Sequence, residues 1–359
     1  MDPGIWSRLP EDILEHVLAF LPLKTLLNLR STCKHFKSLI LSPSFISKHY
    51  SSFSSPFSSF VLLSHPQFHY EYPLYDTILN NWRNVSLSLT PVLSNVPSAV
   101  LLSTSNGLLC FSLPNSSSFL VCNLLARSSR KVKFPKKPFV FNLLTLVSTS
   151  GGYILFMLSP SSSGASYNTL LYDSSVQSWQ EFEGFDPVLS NDYHQEGVYN
   201  NGYLYFTTTE PFSVVSFGLE FGKWERLMVE LPDELMFIRL VSDGNGKLYM
   251  IGGIGSDGIS RSIKLWELSG GGENWVVVES VPSMMCRKFL SVCYHNYKHV
   301  YCFWHQGMIC VCCYSWPEIL YYRVSKKTWH WLPKCPSLPE KWILGFRWFS
   351  FVPELFAFV

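Results

Sequence analysis

Leu171-Tyr172-Asp173-Ser174-Ser175-Val176-Gln177-Ser178-Trp179 ends one apolar run and, six residues after its aspartate, opens the next on a tryptophan. The figure returns in both directions along the chain. Leu74-Tyr75-Asp76 leads at the same interval to Trp82 and Tyr321-Tyr322-Arg323 to Trp329, while Leu265-Trp266-Glu267 reaches Trp275 with two extra residues of glycine-rich turn. A second figure precedes it at Asn106-Gly107-Leu108-Leu109, Gly151-Gly152-Tyr153-Ile154, Asn201-Gly202-Tyr203-Leu204 and Asn245-Gly246-Lys247-Leu248. Trp179, Trp224, Trp275 and Trp329 stand 45, 51 and 54 residues apart. Trp82 precedes Trp179 by 97, two periods with the middle tryptophan missing near Ser129. From Phe60 onward the runs are short, β-type and separated by Gly, Pro, Ser and Asn, which restricts the fold to a sandwich, barrel or propeller. The repeat selects the propeller.

A period of 45 to 54 residues, with glycine opening one strand and tryptophan a later one, resembles the kelch class of β-propeller. That class implies four-stranded antiparallel blades. The units number six, beginning near residues 60, 98, 143, 195, 238 and 289. The first is short at its front and the chain ends on an unpaired apolar stretch, Trp342 to Phe351. We expect that stretch to supply a strand to the first blade, closing the ring and removing exposed edges. Only Gly151-Gly152 and Gly252-Gly253 keep the double glycine of kelch repeats, and Gly252-Gly253-Ile254-Gly255 reads as a blade turn.

The residues before Phe60 have a different texture. In LPEDILEHVLAFLPLKTLLNLRSTCKHFKSLILSPSFI, Leu9 to Ile46, Ile13, Leu14, Val17 and Leu18 form a helical stripe. Pro10 suits the start of that helix and Leu21-Pro22 stops it. A second helix carries Leu23, Leu26, Leu27 and Leu29; a third carries Cys33, Phe36, Leu39 and Ile40 until Ser42-Pro43 breaks it, and Ser44 to Tyr50 adds a further turn. A module this small cannot bury all of that surface alone. Each Ile, Leu or Val is worth about 1.5 to 3 kcal/mol on full burial, so a wet second face points to a partner protein.

Leu9, Pro10, Ile13, Leu14, Val17, Leu18, Leu21, Pro22, Leu26, Leu29, Cys33, Lys34 and Phe36 fall in order and without gaps on a pattern that resembles the F-box, with Phe36 where that family more often has tryptophan. The expected layout is a mainly β chain with a small α domain: an F-box over residues 1–50, a serine-rich linker over 51–59, and a kelch-like propeller over 60–359. Nearly the whole chain is similar to plant-type F-box/kelch-repeat proteins, in which Ser105-Asn106-Gly107-Leu108-Leu109-Cys110 and Val121-Cys122-Asn123-Leu124-Leu125 also have likenesses. Met1-Asp2-Pro3 with Ile5-Trp6-Ser7 is similar to a floral-development branch of that group. The resemblance implies a substrate-recognition subunit of a Skp1-cullin-F-box (SCF) ubiquitin ligase. In it the F-box residues just named, Lys34 apart, would dock on a Skp1-like adaptor, and through it on a cullin-RING ligase, while the propeller holds an unidentified target. A non-degradative scaffold or transcriptional co-regulator built from the same domains is the alternative.

Composition narrows the rest. With 47% hydrophobic and 16% aromatic residues, the 359-residue chain has material for a large core. A net charge of +2 gives no reason to expect direct nucleic-acid binding. No signal-peptide pattern or charge-free membrane-length run is present, so a soluble protein of the nucleus and/or cytoplasm is expected, with no membrane partner. Ten cysteines in such a chain read as reduced core residues. Cys302, His305, Cys310, Cys312 and Cys313 lack paired C-x-x-C knuckles, so no metal or other cofactor is expected. Glu181, Glu183 and Asp186, and likewise Asp233 and Glu234, read as solvated loop charge, and neither G-x-S-x-G nor a phosphate-binding loop occurs. The chain is expected not to be an enzyme. The basic run Arg127, Arg130, Lys131, Lys133, Lys136 and Lys137 reads as an exposed strand and turn.

Alternating strand direction gathers one set of loops at one end of the ring. These are roughly Pro114 to Ser118, Ser159 to Ser166, Thr207 to Phe212 and Ile254 to Arg261, joined by Glu183 to Gln195 between blades. Recognition is expected there. His305 to Glu318, with Trp316, is longer than its equivalents and is either a protruding contact segment or an added core strand.

Overall fold

A computed structural model describes residues 9–21, 23–30, 32–40, 42, 44–45, 48, 59–68, 71–86, 99–113, 116–135, 141–160, 167–185, 194–270, 272, 274–338 and 340–359. Three short helices open it: α1 (Glu11–Ala19), α2 (Leu23–Arg30) and α3 (Lys34–Ile40). Six four-stranded antiparallel sheets follow. Blade 1 holds β1 (Phe60–Ser64), β2 (Glu71–Asp76) and β3 (Asn81–Ser86); blade 2 holds β4 (Val100–Ser105), β5 (Leu108–Leu113), β6 (Ser118–Asn123) and β7 (Ser128–Lys133). Blade 3 comprises β8 (Leu143–Thr149), β9 (Gly152–Pro160), β10 (Tyr167–Asp173) and β11 (Ser178–Phe185), and blade 4 β12 (Val198–Asn200), β13 (Tyr203–Thr207), β14 (Val214–Gly218) and β15 (Lys223–Arg226). Blade 5 is β16 (Leu235–Ser242), β17 (Leu248–Ser256), β18 (Ile259–Leu268) and β19 (Trp275–Ser280). A helix, α4 (Ser283–Cys293), leads into blade 6: β20 (Val300–His305), β21 (Met308–Cys313), β22 (Trp316–Arg323) and β23 (Thr328–Trp331).

The last strand, β24 (Arg347–Phe351), returns to blade 1 and pairs with β1 through Phe60 opposite Phe351 and Ser64 opposite Arg347. This is the closure expected of the tail. The innermost strand of each blade, which is β24 in blade 1, lines the axis: β24 touches β4, β4 touches β8, β12 touches β16, β16 touches β20, and β20 touches β24. Closing the ring leaves the inner strands without a free end.

The repeat maps onto the fourth strand of each blade. Tyr75 faces Trp82, Tyr172 faces Trp179, Phe217 faces Trp224 and Tyr322 faces Trp329, with ring centroids 5.1 to 5.3 Å apart. In blade 2 the same register sets Cys122 opposite Ser129, the position of the missing tryptophan. Two indoles also tie their blade to the one before: Trp179 donates to the Lys133 carbonyl and Trp224 to Thr169 Oγ1, each at 3.0 Å. The acidic or amide residue ending the third strand shapes the turn. Asp76 accepts from the backbone of Ile78 and Leu79, Asp173 from Ser175, and Asn123 from Leu125 and Ala126.

Two expectations need correction, and one pair of readings is resolved. Gly252, Gly253 and Gly255 lie inside β17 and form no blade turn; a Cβ on Gly253 would come within 2.5 Å of the Phe237 ring, so the glycines permit close strand packing. Ile254 to Arg261 is accordingly a tight hairpin at Asp257-Gly258, with a bulge at Gly255. Of the two readings of His305 to Glu318 the core strand holds: the segment forms β21 and the start of β22, joined by Tyr314-Ser315, and Trp316 is half-buried. The sixth unit, placed near residue 289, begins at Val300, because α4 fills the connection. Its Cys286, Phe289, Leu290 and Cys293 are buried at i, i+3, i+4 and i+7, a helical signal masked by the surrounding β texture.

Candidate docking and recognition faces

Strand direction gives the ring two ends. Turns between first and second strands and between third and fourth strands emerge at one; hairpins between second and third strands and connections between blades emerge at the other. The helical module lies against the first end. Its core of Leu14, Leu18, Ala19, Leu26, Leu39, Ile40 and Phe45 continues into Leu355, with Leu125, Ala126 and Phe356 of the propeller packed against it. Leu355 comes from the segment after β24, and Leu125 and Ala126 from the β6–β7 turn.

That segment is clamped. The Asn123 amide Nδ2 donates to the carbonyls of Glu354 at 2.8 Å, Leu355 at 3.3 Å and Ala357 at 2.9 Å. Gly107, at φ 80°, lets Glu354 approach so closely that a Cβ there would lie 2.5 Å from its backbone nitrogen. Asn106-Gly107-Leu108 and Cys122-Asn123-Leu124 thus meet at the tail and hold it as the bracket between module and ring. Within the module, Glu15 is buried where the Lys48 ammonium reaches it at 2.7 Å and Ser44 and Ser42 donate to it. The hydrogen bond from Lys48, then that from Ser44, holds its carboxyl below the usual range.

The stripe on α1 is split. Leu14 and Leu18 are buried, as is Leu26 on α2, whereas Ile13 and Val17 are 47% and 40% exposed and Phe20, one residue past the helix, is 57% exposed. Of the other residues expected to dock on an adaptor, Pro10 and Cys33 are exposed; Leu9, Leu21, Leu29 and Phe36 are half-buried; and Pro22 lies outside the described residues. Leu14, Leu18 and Leu26 face the chain's own core, and among the described residues of the module the exposed large apolar side chains are Ile13, Val17 and Phe20. Sequence reasoning did not single out Phe20, although its position three residues after Val17 was a signal.

At the opposite end, Thr207 ends β13 and the chain loops through Phe212 toward β14, while most of Ser159 to Ser166 and of Glu183 to Gln195, and part of Pro114 to Ser118, lie outside the described residues. So do residues 51–58 of the linker and Lys136 and Lys137 of the basic run. On the axis, Glu196 faces Arg347 at 3.7 Å and accepts from Ser103. Burial pushes its carboxyl up to about 7 despite the arginine. Gln195 bridges inner strands through the Cys302 backbone N–H and carbonyl, at 2.9 and 3.2 Å. His194 stacks on Tyr314 at 3.8 Å, and burial, reinforced by the Arg347 charge, lowers its ring to about 3, so it is neutral at physiological pH.

Cys302, Cys310, Cys312 and Cys313 are interior thiols pushed up by burial, Cys302 to about 12. His305 is held between Ser350 Oγ at 2.9 Å and Thr77 Oγ1 at 3.3 Å. Among the described residues no helix is long and apolar enough to cross a membrane.

A helical module with an accessible apolar edge is bracketed to one end of a six-bladed ring whose other end carries the hairpins, the layout expected of an F-box joined to a kelch-type propeller. Residues 6–48 match the F-box domain family. The chain is 56% identical over 367 aligned residues to an F-box/kelch-repeat protein of Arabidopsis thaliana, covering all of this chain and 90% of that one. It is also 25% identical to Arabidopsis F-box only protein 6, over 93% of this chain and 71% of the relative. Protein UNUSUAL FLORAL ORGANS of the same plant is 23% identical, over 94% and 80% respectively. The chain belongs to the plant F-box/kelch-repeat family.

Proposed function

We propose that this protein is the substrate receptor of an SCF-type ubiquitin ligase, its F-box docking on a Skp1-like adaptor through Ile13, Val17 and Phe20 while the far end of the propeller presents a target protein. The observation that carries the reading is the divided α1 stripe: Leu14 and Leu18 complete the module's own core, and Ile13, Val17 and Phe20 stay in water beside them. Three large apolar side chains on one short edge are costly to leave wet and are the anchors a protein interface uses. The role needs no reacting group of its own, because holding target and charged enzyme in one complex raises the rate through proximity.

The test is co-purification of the full chain with a plant Skp1-like adaptor, comparing wild type with Ile13→Asp/Val17→Asp. Adaptor capture should fall at least tenfold with helical circular dichroism unchanged. Undiminished capture by the double variant would sink the docking assignment. Accumulation of a bound target under proteasome inhibition supports degradation, and unchanged target levels would make the protein a non-degradative scaffold.

A further inference from the structure

The end of the ring away from the F-box carries a groove of about 650 Å³ where α4 ends, the β21–β22 hairpin turns and the chain approaches β24. Tyr294, Trp342 and Leu344 line it and are 85%, 38% and 57% exposed, so large apolar side chains stand in water along a concave surface. Its volume is that of a binding cleft, and such a patch on a closed domain marks an interaction site.

The groove is preformed. Gly345 and Phe346 donate from their backbones to the Tyr314 carbonyl at 3.1 and 3.0 Å. Gln67 brackets the same segment, donating to the Lys341 carbonyl and accepting from the Ile343 N–H, both at 3.3 Å. Trp342 is wedged edge-on between Trp316 at 5.8 Å and Phe346 at 6.1 Å. Its exposed surface is therefore held in place.

Charge chooses the occupant. The segments framing the groove, 283–299, 314–318 and 333–344, carry Arg287, Lys288, Lys298, Lys334 and Lys341 against only Glu318 and Glu340. Glu318 is buried and already shared by Lys288 and by Lys334 at 3.4 Å. Arg287, Lys298 and Lys341 remain exposed and form no ion pair among the described residues. An apolar cleft flanked by the unpaired Lys298 and Lys341, next in sequence to the lining residues His299 and Trp342, with Glu340 the one exposed carboxylate on those segments, complements carboxylates flanking a bulky apolar residue.

We propose that this groove is the target-recognition site and that it takes an acidic peptide segment with a tryptophan or leucine anchor. The inference rests on the receptor reading and adds the chemistry of the target. The anchor enters between Tyr294 and Leu344, and the flanking Asp or Glu residues face Lys298 and Lys341.

The experiment uses the full chain bound to its adaptor and three fluorescein-labelled nonapeptides: Leu and Trp among Glu and Asp, the same with Lys for every acid, and the acidic one with Gly for Leu and Trp. Fluorescence anisotropy should show the first binding at least tenfold more tightly than either other, weakening as salt is raised. Lys298→Glu/Lys341→Glu, on exposed side chains that folding does not use, should reverse the preference between acidic and basic peptides, and Tyr294→Ser/Leu344→Ser should abolish both. Equal binding of the three peptides, or acidic-peptide binding untouched by these variants, would overturn the proposal. So would a concentration-dependent dimer in sedimentation that Tyr294→Ser/Leu344→Ser dissociates, since a second copy would then fill the groove. Adaptor capture is read in the same preparations: its loss with peptide binding intact counts against the ligase reading alone, and the converse against the groove alone.

Discussion

In β10, Leu170, Leu171 and Tyr172 are buried in succession, because blades 2 and 4 cover both faces of the sheet. In α1, Ile13 and Val17 remain in water one residue away from Leu14 and Leu18, which are buried. Both stretches are apolar beyond the needs of a single face. The difference is enclosure: every blade has neighbours on two sides and a ring has no last member, whereas three short helices can surround only one small core. Apolar surface left over in the ring is scattered in side chains such as Leu79, Val176, Phe221 and Met228 and gathers at the α4 groove, whereas in the helical module it is a helix edge.

The largest test of that contrast removes the enclosure. Trp348 on β24 is buried, lies 5.9 Å from the Trp82 ring, and donates its backbone N–H to the Tyr301 hydroxyl, 2.8 Å away. With those interactions distributed across the ring closure, Trp348→Ala should cost about 3 to 5 kcal/mol and lower the propeller's denaturant midpoint as one cooperative unit. A variant with unchanged midpoint would mean that the ring does not depend on its last strand. The second test cuts the join between the regions. Leu355→Ala should cost about 2 kcal/mol or somewhat more and loosen the F-box, read as faster amide exchange in α1 with the blades unchanged. Equal loosening of both would make them one folding unit.

The smallest effect concerns the axis. Glu196 is raised to about 7 in the fold, so the folded chain binds a proton that the unfolded chain releases near 4.5. Its favourable contribution is present below about 4.5 and is lost as pH climbs through about 7. Glu196→Gln should therefore raise the melting temperature by a few degrees at pH 8, with the gain vanishing toward pH 5. A gain at pH 5 equal to that at pH 8 would show that the carboxyl does not titrate between them.

The sequence made the ring legible because its signals are local and repeated. Asp76, Asn123 and Asp173 each build their turn from atoms two or three residues away, and the tryptophan interval is the length of one hairpin return. Even the gap at Ser129 keeps its register opposite Cys122. The misread parts lack that repetition. The Gly252-Gly253 pair reads as a turn until the Phe237 ring occupies the space a side chain would need. The α4 stripe is an ordinary helical pattern, but in a chain of strands it reads as one more apolar run.

The helical module shows the same division more sharply. That residues 9–46 form an apolar helical module with excess greasy surface follows from periodicity alone, since helix geometry fixes which residues share a stripe. Which half of that stripe stays exposed was decided by the packing of the three helices on one another and on Leu355 and the β6–β7 turn, brought to the module through the Asn123 and Gly107 contacts with the tail. Periodicity is written in neighbouring residues; burial is a competition among every surface the folded chain brings together, and it has no outcome until the ring has closed.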